Sequence, residues 1–245
     1  VEAVIAELEK RRLDLMETCI SAQVYIGLGE DEERQLFGDI NSKVQLVNKE
    51  LGQFYDNTDP LNNLVKQLVE HHILLKAAGV EKRTNLTAFN KNYTSMTYLY
   101  SVASLLISGD SKPSYKLQRN VRKNRAFYQE LLHQFFDRLL PLMPEQPGLS
   151  KYISSSRLMQ ESIALYMHEL MFDNEGNLRE TWHGGFRIFE DFDWTQNNAE
   201  IGELLGRGEN GKLLLNYDRS LRKHKLLVQY FHRLNGKENV RVSNL

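Results

Sequence analysis

Apolar residues recur at spacings of three and four along most of the chain, which predicts helices almost throughout. Val4, Ile5, Leu8, Leu15, Cys19 and Ala22 form one side of a first helix over about 2–27, ended by Gly27 and Gly29. Phe37, Ile40, Val44, Val47 and Leu51 mark a second over about 30–54. Asp59-Pro60 is a start signal, aspartate capping free amides and proline suiting the first turn; the third helix then runs to about Ala78. A fourth is expected over about 84–108. Its uncharged stretch, Asn92 to Gly109, is too rich in Asn, Ser, Thr and Tyr for lipid and suits a helix enclosed by protein. Ser111-Lys112-Pro113 opens a fifth, reaching about Leu140.

Pro141, Pro144, Pro147 and Gly148 make a hinge, followed by a sixth helix over about 149–172 and a turn at Asp173–Asn177. The segment 182–194 fits a helix through Trp182, Phe186 and Phe189, or a strand through Phe186, Ile188, Phe192 and Trp194. A short helix near 198–205, a last one near 211–234 and a polar tail complete the chain. The pattern predicts an all-α fold. An antiparallel bundle of about five long helices over 1–143 is expected, with a smaller helical C-terminal part over 148–245 packed on it or continuous with it.

Composition narrows the function. The 245 residues carry 31 Lys+Arg against 32 Asp+Glu, a net charge of -1, with 41% hydrophobic residues. That excludes a disordered or collagenous chain and argues against a protein basic over its whole surface, so nucleic acid ranks below protein as an expected partner. Cys19 is the single cysteine and sits among Leu15, Met16 and Ile20; no internal disulfide or multi-thiolate zinc site is open to it. A soluble protein of a reducing compartment, the cytoplasm, is expected. The chain begins at Val1 rather than Met, and no targeting signal is legible.

Several motifs fail on their context. Gly206–Lys212 has phosphate-loop spacing, but Leu213 stands where a magnesium-binding hydroxyl belongs and a helix precedes it instead of a strand. The Glu130/His133 and Glu180/His183 pairs have di-iron spacing, yet the first projects away from the Tyr128, Leu131, Phe135 and Leu139 stripe. His183-Gly184-Gly185 lacks a nucleophile elbow. Asp173, Glu175 and Asn177 begin like a calcium loop, but Gly184 replaces the closing glutamate. His72 and His224 lie on apolar stripes and read first as core imidazoles. No metal site and no cofactor is expected.

One surface stands out. Lys112, Lys116, Arg119 and Lys123 share a helical row, flanked by Arg122 and Arg125. Solvated faces usually alternate signs, and cations in the first turns of a long helix oppose its dipole. The six residues are therefore the candidate binding face, for an acidic partner or another anion. Arg219, Arg222, Lys223 and Lys225 are candidates to extend it, and Tyr115 is the one aromatic interleaved among the cations. The expected function is a non-enzymatic helical protein-interaction module, an adaptor or a host-directed bacterial effector. The alternatives are an enzyme with a pocket at Trp182, His183, Phe186 and Trp194, and peripheral binding to anionic membrane headgroups.

Overall fold

A computed structural model describes residues 27–30, 32, 58–82, 86–87, 90–111, 114–145, 148, 151–216 and 222–236. The chain divides into two compact units, Val1–Val47 and Asn48–Leu245. The two helices expected before residue 54 lie almost wholly outside the described residues, as do Cys19 and Lys112. Gly27, at the expected first break, has a φ of 81°.

The second unit opens with α1 (Pro60–His71), started as expected by Asp59, whose Oδ1 accepts from the Asn62 amide at 3.0 Å. Leu61, Leu64, Val65 and Leu68 form its buried stripe. The predicted continuation to Ala78 is interrupted at His72. Its backbone is extended and its Nδ1 accepts from the Leu75 amide at 3.2 Å, so the imidazole caps a new short helix, α2 (Ile73–Ala78). His72 is a core residue as expected, and its ring stacks on His133 with centroids 5.0 Å apart.

The fourth predicted helix is shortened at its start. Val80–Glu81 (β1) pairs in parallel with Thr94–Ser95 (β2), and α3 begins only at Met96 and runs to Ser108. The cause lies far away in sequence. Gln160, buried on a later helix, donates Nε2 to the Tyr93 carbonyl at 2.8 Å and accepts from the Thr94 hydroxyl at 2.7 Å. These bonds hold the backbone extended and satisfy its polar groups. Within α3 every residue except Thr97 and Ser108 is buried, which fits the enclosed helix expected from its low charge.

The fifth predicted helix is two: α4 (Tyr115–Lys123) and α5 (Arg125–Leu139), separated at Asn124 (φ -120°, ψ 38°). A 3-10 turn over Leu140–Leu142 leads towards α6 (Arg157–Met171), capped by Ser156. The ambiguous segment becomes a 3-10 helix, Glu180–Phe189, and is followed by α7 (Ala199–Leu205) and α8 (Arg222–Leu234). The last helix thus starts later than predicted.

The helical class holds, with only the two-residue strand pair as sheet among the described residues. In the C-terminal part, α6 and α8 are packed side by side. His224 bonds Glu161 and His232 bonds Glu169, at the same offset of 63 residues, so the two helices run in the same direction. One hydrophobic core extends from Leu61 to Phe231, with α3 and α6 at its centre.

Candidate functional site

Helix α4 is attached by a narrow apolar edge. Leu117 and Val121 are buried against α1, α3 and α5, each contributing on the order of 1.5–3 kcal/mol. Ser114 caps the helix, its Oγ accepting from the Leu117 amide at 3.1 Å. A polar chain fixes it further: Gln118 Nε2 donates to the Tyr100 hydroxyl at 3.2 Å, and Tyr100 donates to Asp59 Oδ2 at 2.6 Å. The Leu61 amide donates back to Gln118 Oε1 at 3.3 Å. Helices α1, α3 and α4 are thereby joined beneath the outward face.

At ~100° per residue, Tyr115, Lys116, Arg119, Arg122 and Lys123 fall within an arc of about 120° centred opposite Leu117 and Val121. Each of the five is exposed, as is Arg125 at the start of α5. Among the described residues no carboxylate lies within 4.0 Å of Lys116, Arg119, Arg122, Lys123 or Arg125. Four of the predicted cations, Lys116, Arg119, Arg122 and Lys123, thus share one face of α4, although the single long helix expected to carry all six is divided. The division moves Arg122 and Lys123 into a final turn, where the helix dipole favours them. The electrostatic conflict remains for Lys116 at the opposite end. Of the proposed extension, Arg219 lies outside the described residues. Lys223 is committed to the Leu214 carbonyl at 2.8 Å and to Asn216 Oδ1.

Beside Lys116 a groove of about 490 Å³ is bordered by Ile107, Asp110, His168, Asp173 and Glu175. Asp173 closes its own turn by accepting from the amides of Glu175 and Asn177, both at 2.9 Å. The Asn177 amide, chief among these donors, draws its carboxyl below the usual range. Burial holds His168 below the ordinary imidazole value even though its Nδ1 donates to the Leu106 carbonyl at 3.0 Å.

Three of the four residues proposed to line an aromatic pocket are packed into the core. Trp182, Phe186 and Trp194 are core residues with 3%, 5% and 6% exposure, and Trp194 Nε1 donates to the Leu142 carbonyl at 2.8 Å. His183 lies against Trp182, ring centroids 4.0 Å apart, and burial lowers its pKa. The adjacent Gly185 is a packing residue, since a Cβ there would come 2.4 Å from Leu170 Cδ1. The phosphate-loop candidate is a turn occupied by the chain's own cation. Arg207 donates to the carbonyls of Gln196, Asn197, Asn198 and Gly211 at 2.8–3.1 Å.

Residues 1–230 match the family model DndB: DNA-sulfur modification-associated. The chain belongs to the DndB family. No curated protein and no solved structure matches it. Membership in DndB overturns the expected protein-interaction module and places the chain in the context of DNA-sulfur modification. It also brings nucleic acid, ranked below protein from the sequence, back into consideration. The near-neutral total charge does not weigh against this, because cations gathered on one face act locally whatever the sum over the chain. No helix among the described residues of this DndB chain is long and apolar enough to cross a membrane.

Sequence reasoning missed three contacts of two enclosed glutamates: Glu161 with Arg157 and His224, and Glu169 with His232. Both glutamates and both histidines are spaced by eight, a two-turn repeat that was available as a signal. It also missed Phe127, whose 43% exposure follows from the new direction the chain takes at Asn124.

Proposed function

We propose that this DndB chain engages DNA through the cationic face of α4 as its part in DNA-sulfur modification. The observation that supports this most strongly is the set of four exposed cations on that face, Lys116, Arg119, Arg122 and Lys123, with Arg125 exposed at the start of α5, none of them with a carboxylate in ion-pair range among the described residues. Family membership supports DNA among the polyanions such a face attracts. Successive cations on the row rise by ~4.5–6 Å, a spacing at which several meet phosphates of one strand. The attraction is confined to this face and fades over about 8–10 Å at moderate salt.

Phosphate contacts release counterions, so binding weakens with salt at about 0.9 logarithmic unit per contact. Five contacts set a ceiling near a slope of about -4.5. Fluorescence anisotropy of a labelled duplex over roughly 50–200 mM salt measures it. The double variant Lys116→Glu/Arg119→Glu is expected to lower the slope by about 2 and weaken binding at least tenfold, with unchanged helicity. A slope and affinity equal to wild type would reject the DNA-binding face.

A further inference from the structure

We infer that the α4 face takes unpaired bases as well as phosphates, so that single-stranded or locally opened DNA is its preferred form; this rests on the DNA-binding reading above. Tyr115 is 85% exposed although it begins a helix that buries its other apolar residues, Leu117 and Val121. Among the described residues its ring makes no hydrogen bond, ion pair or ring contact, and it lies on the row of Arg119 and Arg122 at i, i+4, i+7. Phe127 stands at the opposite end of the cations, two residues beyond Arg125, and meets Tyr128 edge-on at 5.1 Å, which leaves part of its ring to solvent.

Two open aromatic rings therefore flank the cations along the chain, Tyr115 at the first residue of α4 and Phe127 in the first turn of α5. A paired duplex offers mainly phosphates and groove edges to such a surface, and its bases are already stacked on one another. An extended strand of a few nucleotides offers phosphates to Lys116, Arg119, Arg122 and Lys123 while turning free base faces towards Tyr115 and Phe127. Arginines on the same row add planar guanidinium surfaces beside those bases. Lone phosphate recognition would leave the exposure of both rings without a use.

The test compares a labelled oligothymidylate of about twelve nucleotides with a labelled duplex, using the whole chain. Tyr115→Ala and Phe127→Ala are each expected to weaken oligothymidylate binding by about five- to a hundredfold and to change duplex binding less than about twofold. Tyr115→Phe, which keeps the ring and loses the hydroxyl, is expected to bind like wild type. Tyr115 touches too little of the chain for its removal to unfold the protein, and circular dichroism checks this. Unchanged single-strand binding overturns the inference, and so does an equal loss on both forms, which would point to a wedge acting on the duplex. If charge reversal weakens binding while these variants do not, only this inference falls. If charge reversal is also silent, the DNA-binding face falls with it.

Discussion

Replacing Glu161 by alanine should be the most damaging single change to the α6–α8 contact. Its side chain is wholly buried, yet it accepts from Arg157 Nε at 2.7 Å and from His224 Nε2 at 2.9 Å, and His224 is itself 1% exposed. Burial pushes the Glu161 carboxyl up. The hydrogen bond from His224, with the charge and hydrogen bond of Arg157, outweighs that push and holds the group below its ordinary value. Deleting one member of such a set costs about 3–5 kcal/mol, because the partners stay behind in a dry site. Arg157 retains 24% exposure and can recover some water, so the lower end, about 3 kcal/mol, is expected.

For a unit of this size that is a fall in Tm of roughly 6–12 °C. Glu169→Ala should cost about 1–2 kcal/mol, since the 19% exposure of Glu169 lets water replace it beside His232. Glu161→Gln keeps an acceptor and should fall between the two. Urea unfolding followed by circular dichroism measures all three. A Glu161→Ala loss below about 1 kcal/mol, or no larger than that of Glu169→Ala, would refute the reasoning. The pH dependence has a definite sign. A carboxyl lowered in the fold stabilises fully above its unfolded value of 4.5 and loses that contribution as pH falls through the lower folded value. Wild type should therefore lose more stability than Glu161→Gln between about pH 5 and pH 3.

Two further changes probe how α4 and the groove are held. Asp59→Ala removes both the α1 cap and the acceptor for Tyr100; it should cost about 1–2 kcal/mol and raise hydrogen exchange in α4. Protection of α4 equal to wild type would disconnect the Asp59–Tyr100–Gln118 chain from its placement. Gly109→Ala combines a left-handed φ of 70° with a Cβ 2.8 Å from His168 Nε2, on a ring already tied to Leu106. A loss of about 2 kcal/mol in chemical denaturation is expected, and one under about 0.5 would show that the ring yields freely.

Local chemistry accounts for what the sequence made readable. Asp59-Pro60 and the run near 198–205 begin helices where expected because capping depends on neighbours within a turn. The breaks at His72 and Asn124 escaped notice because neither is Gly or Pro and the apolar spacing continues across both. The extended segment before α3 depends on Gln160, more than sixty residues away in sequence, which no local pattern reveals. The cations of the candidate face were legible as a row because helical spacing alone sets their alignment. Phe127 was not, since its exposure depends on how α5 turns after Asn124. His224 was recognised as a core residue, while its partner required knowing that α6 and α8 run side by side in one direction.

That shared direction has a consequence for the order in which the protein assembles during its synthesis. Neighbours running the same way cannot be joined by a short turn, so the chain must travel back past the full length of α6 before α8 can dock. Until residues 222–234 leave the ribosome, Glu161 waits beside Arg157 without its imidazole, and the aromatic wall around Tyr166 and Phe189 lacks Phe231. A nascent chain halted before that point carries an unfinished hydrophobic centre and is a ready target for chaperones and proteases.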